Sequence, residues 1–380
     1  MSRHRFHSIC PYFAMFPEEF VRRYVLAWSR PRDLVFDPFC GRGTTIFESL
    51  LNSRAAIGCD INPVAVCISR AKSDPPSLSA TLNRIEDLRA AYEATTPNPP
   101  KLPEFFSHCY HDSTLRQVLF LRSALDWRNN REDCFIAAAA LGCLHGESHR
   151  TELCFSNRMP RTISTKPGYS IRWWTERSCF APKRDVFTIL PKAVIFRFKS
   201  APPGLVGSVL QGDARDARKL FAQHVGQVRL VVTSPPYLDV TNYREDQWLR
   251  VWFLGGPDSP VASLARDDRH RTVEAYWGFL REAWRGVLPL LHPKCQIVIR
   301  IGGNRLPPGE LGVGLLACLK QTRRQVKLAE VRTTSIGEGQ QRSFQRRPRR
   351  VEPNVEHDFR FCFGETGTAE NRSACTASTL

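Results

Sequence analysis

The sequence contains no run of eighteen apolar residues, so a membrane-spanning helix is not expected. Its basic first segment, Met1 to Tyr12, is followed by no apolar stretch of the kind that forms a signal peptide. None of the thirteen cysteines belongs to a CxxC pair, which argues against a disulfide framework and favours reduced thiols. These absences together predict a cytoplasmic protein.

A standard zinc-ligand spacing is also missing, although histidine and cysteine are concentrated in one part of the chain. We therefore expect packing or polar contacts for these residues, and no bound metal. The residues concerned are His108, Cys109, His111, Cys143, His145, His149 and Cys154.

Acidic residues are too few to balance the basic ones. The 54 Lys and Arg residues face 37 Asp and Glu residues, which leaves a formal net charge of +17. Such an excess attracts polyanions and accelerates encounters with them. A nucleic acid is the favoured partner, although a contribution to solubility alone would account for the same charge.

The first part of the chain alternates helices and strands. A proline, two acidic residues and a four-residue aromatic repeat predict a helix at 17–28. A strand at 34–36 leads into the loop DPFCGRG, and a helix begins near Thr44. A second strand at 55–59 ends in Asp60 and precedes another helix. This order predicts one half of a doubly wound α/β sheet.

Residues 74–204 interrupt this alternation. The segment has proline-rich stretches, helical patterns at 114–126 and 134–145, and the irregular basic and aromatic stretch SNRMPRTISTKPGYSIRWW. The α/β pattern then returns with an amphipathic helix at 272–288. The later strands are predicted at 207–210, 228–232, 296–301 and 358–363.

Four segments follow from these patterns. We predict an α/β domain in two parts, 1–73 and 205–364, with an inserted helical subdomain at 74–204 between them. The basic stretch RSFQRRPRR predicts a loop, and the polar tail 365–380 is expected to be disordered.

The first candidate site is the glycine loop. Gly41 and Gly43 allow a tight turn and the close approach of a ligand, and N–H groups at the next helix start can hold a carboxylate. Asp60 is suited to accept from ribose hydroxyls, and Asp213, after a third strand, from an adenine amino group. Because Ile46 replaces the third glycine of GxGxxG, a nucleoside with a carboxylate tail fits better than a dinucleotide. A simple tight turn, and a helix N-cap at Asp60, are the alternatives.

The second candidate site is TSPPY, which directly follows an apolar strand. Its two prolines fix the backbone and so hold Ser234 at a set distance from a neighbouring carbonyl, which suits an exocyclic amine. Tyr237 offers a ring on which a planar base can stack. The alternative is a proline turn with a core tyrosine.

These motifs resemble those of the amino-group DNA methyltransferases. DPFCGRGTT is similar to their motif I, GCDINP to motif II, GDA to motif III, TSPPY to motif IV and HSICPYFAMFPEEF to motif X. The resemblance covers residues 6–70 and 205–305, and more weakly EPNVEHDFRFCF. It implies a Rossmann-like S-adenosylmethionine-dependent methyltransferase fold with a mainly parallel seven-stranded sheet, and a target-recognition role for the insert. The insert lies before GDA, where the family more commonly has it after.

The resemblance implies S-adenosylmethionine as the cofactor, with Asp37 supporting the methionine end, Asp60 the ribose and Asp213 the adenine. The implied cofactor-binding residues are Asp37, Phe39, Gly41, Gly43, Thr44, Asp60, Asn62 and Asp213. The residues implied to hold a base flipped out of the duplex are Ser234, Pro235, Pro236 and Tyr237.

Ser234 favours the N4 amine of cytosine as the acceptor, because the adenine N6 enzymes of the family usually have Asp or Asn there. Adenine N6 is the alternative. No cysteine nucleophile is needed for either, so Cys40 is predicted to form a pocket wall. An RNA methyltransferase and a nonenzymatic nucleic-acid binder are the competing functions.

The resemblance implies double-stranded DNA as the partner, association with the nucleoid of a bacterial or archaeal cell, and a role in restriction-modification or related DNA marking. A separately acting restriction endonuclease would then be a further partner. The residues predicted to contact the DNA backbone are Arg158, Arg161, Lys166, Arg172, Arg346, Arg347, Arg349 and Arg350.

Overall fold

The computed structural model describes residues 3–12, 17–95, 100–147, 153–159, 166–238, 247–260, 272–302, 306–321, 325–335 and 355–364. Within these residues the strands are β1 Leu34–Asp37, β2 Ala55–Asp60, β3 Gly146–Glu147, β4 Arg158–Met159, β5 Ser208–Gln211, β6 Val228–Thr233, β7 Leu291–Gly302, β8 Gln325–Ser335 and β9 Val355–Gly364.

The α-helices of the same residues fall into three groups. The first group is α1 Glu18–Trp28, α2 Thr44–Leu51 and α3 Pro63–Ser73. The second group is α4 Leu78–Glu93, α5 Phe105–Cys109, α6 Asp112–Ala124, α7 Arg131–Cys143, α8 Pro167–Glu176 and α9 Val186–Arg197. The third group is α10 Ala217–Leu220, α11 Trp248–Phe253, α12 Val273–Val287 and α13 Pro308–Leu319.

One sheet of seven strands organises the chain, in the order β5-β2-β1-β6-β7-β9-β8. The pairs among β5, β2, β1, β6 and β7 are parallel, whereas β9 runs antiparallel to both of its neighbours. The predicted mainly parallel seven-stranded sheet of the S-adenosylmethionine-dependent methyltransferase fold is confirmed. The carboxyl ends of β5, β2, β1 and β6 therefore lie side by side.

Helices cover both faces of this sheet, which explains why the central strands are continuous apolar runs. On one face, Phe20 and Val25 of α1 pack against Leu230 of β6. On the other face, Tyr276 and Trp284 of α12 are fully buried against the sheet. Burial of each such large side chain contributes about 1.5–3 kcal/mol.

The amphipathic helix predicted at 272–288 is α12, with Thr272 as its N-cap accepting from the Ala275 N–H at 3.1 Å. Its core face is Tyr276, Leu280 and Trp284, spaced four residues apart and shielded from solvent. The four-residue spacing that predicted the helix thus places these three side chains on the face that packs against the sheet.

Helices α4 to α9 occupy most of the chain between α3 and β5. Their apolar side chains share one hydrophobic cluster with α2 and α3, and α7 lies directly on α3. The Cys67 thiol of α3 donates to the Cys134 carbonyl at 3.7 Å, and the Cys134 thiol donates to the Cys67 carbonyl at 3.6 Å. The helical segment therefore extends the core of the sheet's neighbouring helices.

The stretch ending in GYSIRWW was predicted to be irregular, and that prediction is wrong, because residues 167–176 form the helix α8. Pro167 stands in the first turn, and Ser170 and Trp174, one turn apart, are fully buried. The basic and aromatic composition concealed a helix in which Trp174 is the only fully buried apolar side chain.

Two elements lack a clear sequence pattern. The edge strand β8 is exposed at most positions, so it shows little alternation. Helix α13 begins at the second of two consecutive prolines and contains three glycines. In the described part of the chain, no helix is long and apolar enough to cross a membrane. The described His, Cys, Asp and Glu residues form no group of three placed to hold a metal ion.

Candidate active site

Four neighbouring strands bring the two predicted sites to one edge of the sheet. β1 ends at Asp37, β2 at Asp60, β5 at Gln211 and β6 at Thr233. Parallel strands end at the same edge, and the crevice outside these ends is the usual ligand site of such sheets. The glycine loop and TSPPY leave adjacent strands, β1 and β6.

The glycine loop has a backbone that only glycine adopts without strain. Gly41 and Gly43 have φ angles of +49° and +72°. A Cβ on Gly43 would lie 2.6 Å from the Ser69 hydroxyl oxygen and 2.9 Å from the Ser69 Cβ. Ser69 of α3 also donates to the Gly41 carbonyl at 2.8 Å. The loop is thus held against α3 with no room for a side chain.

Asp60 braces the loop from the next strand. Its carboxylate accepts from the Gly41 N–H and from the Asn62 N–H, each at 2.9 Å, and it is partly exposed. The alternative role of Asp60 as a helix N-cap is wrong, because Asn62 is the N-cap of α3 and accepts from Val64 N–H at 3.0 Å. Asp60 is therefore a carboxylate at the mouth of the crevice, positioned by the loop that it supports.

The N-terminal segment closes over this loop. The Asn62 amide donates to the Tyr12 hydroxyl at 3.3 Å, and the Tyr12 ring lies 3.6 Å from where a Cβ of Gly41 would stand. Arg42 donates to the His7 carbonyl at 3.0 Å and to Glu18 at 2.9 Å. The segment that resembles motif X is thereby joined to the loop that resembles motif I.

Asp37 lies buried behind the loop. Its Oδ1 accepts from the Phe39 N–H at 3.1 Å and from the Thr233 hydroxyl at 2.6 Å. Its Oδ2 is buried and has no hydrogen-bond partner in the described structure. Burial is the largest cause that raises the pKa of Asp37, to about 7, and the neighbouring Asp60 charge adds to it.

Asp213 follows β5 next to Asp60. The Gly212 N–H donates to the Asp60 carbonyl at 3.0 Å, which ties the end of β5 to the end of β2. The Asp213 carboxylate accepts from the Arg215 N–H at 2.9 Å and from the Arg215 guanidinium at 2.8 Å. The carboxylate is mostly buried, with 18% of the side chain exposed.

Two other predicted cofactor residues take different positions. Phe39 packs its ring against Phe279 of α12, with 6.0 Å between the ring centroids, and stays half-buried beside the crevice. Thr44 is buried and accepts from the Arg42 guanidinium at 3.3 Å. Thr44 thus contacts the residue that holds the N-terminal segment.

TSPPY places its serine and tyrosine in direct contact. The Ser234 hydroxyl donates to the Tyr237 hydroxyl at 3.0 Å. The Tyr237 ring lies on the backbone of Gly302, where a Cβ would come within 2.8 Å of the ring. Pro235 is buried, whereas Ser234, Pro236 and Tyr237 are partly exposed. A donating Ser234 keeps its oxygen lone pairs for an incoming N–H group.

Two hydrogen bonds join the two motifs. Thr233, directly before Ser234, donates to Asp37, and Thr45 of α2 donates to the Val232 carbonyl at 2.9 Å. The end of β6 is therefore joined both to the start of α2 and to the end of β1. Burial raises the pKa of the Cys40 thiol well above its ordinary value, so this thiol stays neutral and is unsuited to nucleophilic attack.

The predicted DNA contacts are only partly described. Lys166, directly before α8, and Arg172 on α8 are exposed. Arg158 is half-buried beside Cys154, with its Nε shielded from solvent. The remaining predicted contacts lie outside the described residues. They are Arg161, Arg346, Arg347, Arg349 and Arg350.

Sequence reasoning missed the residues that support the site from behind. Ser69, Thr233 and Gly302 fix the glycine loop, Asp37 and Tyr237 respectively. A hydroxyl side chain at the end of an apolar strand, directly before Ser234, was a usable signal for Thr233. Ser69 and Gly302 carried no such signal, since their contacts exist only in three dimensions.

Comparison with known proteins agrees with this geometry. Residues 2–70 match the N6/N4 DNA methylase family. The matched stretch contains the N-terminal segment, the glycine loop and Asp60, and it confirms S-adenosylmethionine as the cofactor. The match ends before the insert and before TSPPY.

Two curated relatives share parts of the chain. The orphan methyltransferase M.BamHII of Bacillus amyloliquefaciens is 47% identical over 49 residues, which are 13% of this chain and 18% of the relative. The Type II methyltransferase M.BsoBI of Geobacillus stearothermophilus is 22% identical over 305 residues, 70% of this chain and 56% of the relative. The matched part is thus less than two thirds of either relative. These matches support a place among the amino-group DNA methyltransferases.

Among solved structures, TrmN from Thermus thermophilus is similar over 95% of this chain and 52% of its own, with 11% identity and a TM-score of 0.37.

Proposed function

We propose that this protein transfers a methyl group from S-adenosylmethionine to the N4 amine of cytosine in DNA. The observation that carries the proposal is the contact between Ser234 and Tyr237 at the end of β6, hydrogen-bonded through Thr233 to the glycine-loop acid Asp37. An amine acceptor and a methyl donor can then occupy one crevice.

The residues at the crevice suit this cofactor. The partly exposed Asp60 would accept from the ribose hydroxyls, and Asp213 from the adenine amine. N–H groups at the start of α2 would hold the methionine carboxylate. The partnerless Oδ2 of Asp37 suits the methionine ammonium, which would also lower the pKa of Asp37 on binding. The bound cofactor supplies an electrophilic methyl group on a sulfonium.

The base pocket activates the acceptor amine. The Tyr237 hydroxyl fixes the Ser234 hydroxyl, whose oxygen then accepts an N–H of the exocyclic amine, as does a proline carbonyl. These hydrogen bonds draw the nitrogen lone pair out of conjugation with the ring. The cofactor, when bound, would supply the methyl group from its sulfonium, and the acceptor amine would release one proton to solvent. Holding the amine nitrogen in line with the methyl group and the sulfur would further accelerate the transfer.

The match to the DNA methylase family, together with the +17 charge, supports duplex DNA as the substrate. We also propose a role in DNA marking in the cytoplasm. A cytosine pocket is favoured over an adenine pocket because serine occupies the first position of the SPPY segment. The exposed cations Lys166, directly before α8, and Arg172 on α8 are proposed to contact phosphates.

Labelled S-adenosylmethionine and duplex genomic DNA test the proposal. We expect label in DNA and N4-methylcytosine in its nucleoside digest. Label in N6-methyladenine would contradict the acceptor base, label in RNA alone would contradict the substrate, and cofactor binding without transfer would contradict enzymatic function.

Two variants test the assignment of the two sites. Ser234→Ala should abolish transfer while the cofactor Kd stays within about twofold of wild type, since a lost amine contact acts on the transition state. Asp60→Ala should weaken cofactor binding at least tenfold by calorimetry, because it removes the ribose acceptor, the hydrogen bond to the loop at Gly41 and the one to Asn62. The opposite pattern would contradict the assignment.

A further inference from the structure

The loop after α8 presents an aromatic side chain to solvent. Phe180 is 87% exposed, the largest exposed fraction of any large hydrophobic side chain in the described structure. A single exposed apolar residue is ordinary on a protein surface. This one differs because the backbone beneath it is held in place and the side chains around it are basic.

The end of α8 fixes the direction of this loop. Ser178 has a φ of +49°, the Cys179 N–H donates to the Trp174 carbonyl at 2.9 Å, and the Ser178 N–H donates to the Thr175 carbonyl at 3.1 Å. This pair of bonds is the Schellman arrangement that ends a helix. The Asn157 amide also donates to the Cys179 carbonyl at 2.9 Å. Phe180 is therefore exposed on a constrained backbone.

The surroundings of Phe180 carry positive charge. Residues 166–184 contain five basic residues and one acidic residue, a net charge of +4. The Arg177 guanidinium lies over the half-buried Trp173 ring, 4.8 Å from its centroid. Exposed aromatic rings among cations are the composition of surfaces that stack nucleic-acid bases while holding the backbone.

Aromatic contacts connect this surface to the segment that follows TSPPY. The Trp174 ring lies 5.7 Å from Phe105, and Phe105 lies 4.9 Å from Trp248 at the start of α11. Helix α11 is the first described element after the TSPPY loop. Aromatic packing thus joins the helix beneath Phe180 to the first described helix after the TSPPY segment.

We propose that Phe180 stacks on an unpaired base of bound DNA. The inference rests on the proposed function, because an enzyme that extrudes a base must offset the cost of unstacking it. Aromatic or aliphatic wedges that enter a base stack serve this purpose in other DNA-binding proteins. The flanking cations Arg172, Arg177 and Lys183 would hold the strand on either side.

The test uses the full-length protein and two duplexes of one sequence, one fully paired and one with an unpaired 2-aminopurine. Wild type should bind the second duplex more tightly and quench its fluorescence. Phe180→Ala should bind that duplex about tenfold more weakly, which corresponds to about 1.4 kcal/mol, and change the affinity for the paired duplex less than about twofold. Phe180→Trp should retain both the tighter binding of the unpaired duplex and the quenching of its fluorescence.

Val313→Ala is the matched control, since Val313 is 71% exposed on α13 and lies outside this surface. It should change neither affinity. Arg172→Gln should weaken both duplexes equally and reduce the salt slope by about one. The proposal would be overturned if Phe180→Ala bound both duplexes as Val313→Ala does, or if Phe180→Ala lost the same affinity for the paired and the unpaired duplex.

Methyl transfer to genomic DNA is measured separately. Transfer by the wild type without any Phe180 effect on unpaired DNA overturns the stacking surface and leaves the proposed function intact. A Phe180 effect without transfer overturns the proposed function and leaves the stacking surface intact.

Discussion

The raised pKa of Asp37 makes folding and cofactor binding depend on pH in opposite directions. The ordinary pKa of this carboxyl group is 3.8, and burial raises it to about 7 in the folded protein. The folded state therefore holds the proton more tightly than the unfolded state. Its contribution to stability is fully present below about pH 4 and is lost as the pH rises through about 7. At about 1.4 kcal/mol per pH unit, the full loss is about 4 kcal/mol.

Asp37→Asn isolates this effect. The amide oxygen can still accept from Thr233 and Phe39, but the group no longer titrates. Urea unfolding without cofactor, from pH 4.5 to pH 8, should show wild type losing several kcal/mol relative to the variant. Other titrating groups cancel in the difference. Parallel curves for the two proteins would refute a buried carboxyl group with a raised pKa.

Cofactor affinity should increase with pH, whereas stability decreases. If the ammonium pairs with ionised Asp37, affinity follows the ionised fraction, which falls from about one half at pH 7 to about 3% at pH 5.5. Calorimetry should then show S-adenosylmethionine binding wild type about fifteenfold more weakly at pH 5.5 than at pH 7. Asp37→Asn should bind weakly at both values. A wild-type Kd that does not change with pH would refute the pairing.

Two further changes test the loop and the base pocket. Gly43→Ala should lower the unfolding free energy by more than Gly226→Ala, because both glycines have a φ of +72° but only Gly43 faces a neighbour, Ser69. In each variant the strained backbone should lower the free energy of unfolding by about 1–3 kcal/mol, measured by urea unfolding, and Gly43→Ala should lose more. Equal losses would mean that Ser69 moves aside to accept the added methyl group. Tyr237→Phe keeps the ring but removes the acceptor of the Ser234 hydroxyl, so kcat should fall about tenfold while the cofactor Kd is unchanged. An unchanged kcat would show that Ser234 needs no orientation by Tyr237.

The central sheet could be predicted because its strands are short apolar runs that end in chemically distinctive residues. Asp37, Asp60 and the TSPPY turn mark strand ends in the sequence, and parallel strands place such ends together. Helix α12 could be predicted from a four-residue repeat of aromatic and apolar side chains. In each case the local pattern and the tertiary burial agree.

The elements that escaped prediction are those where this agreement fails. Helix α8 buries little besides Ser170 and Trp174, so its sequence resembles a basic loop. Among the described strands, β8 pairs with β9 alone, and it is largely exposed. The supports of the site, such as Ser69 against Gly43, depend on contacts between distant parts of the chain, which no local pattern encodes.

Because Thr233 donates a hydrogen bond to Asp37, the Asp37→Asn variant also tests whether Asp37 affects the rate of methyl transfer. Thr233 directly precedes Ser234, so a variant that merely disturbed this junction would displace the base-binding serine and lose methyl transfer even with saturating cofactor. An asparagine retains the acceptor that Thr233 uses, so the junction should survive and kcat at saturating cofactor should fall far less than the affinity. A large loss of kcat would instead mean that the Asp37 charge stabilises the transition state of methyl transfer. The sulfonium loses its positive charge in that step, so a nearby negative charge could affect the rate.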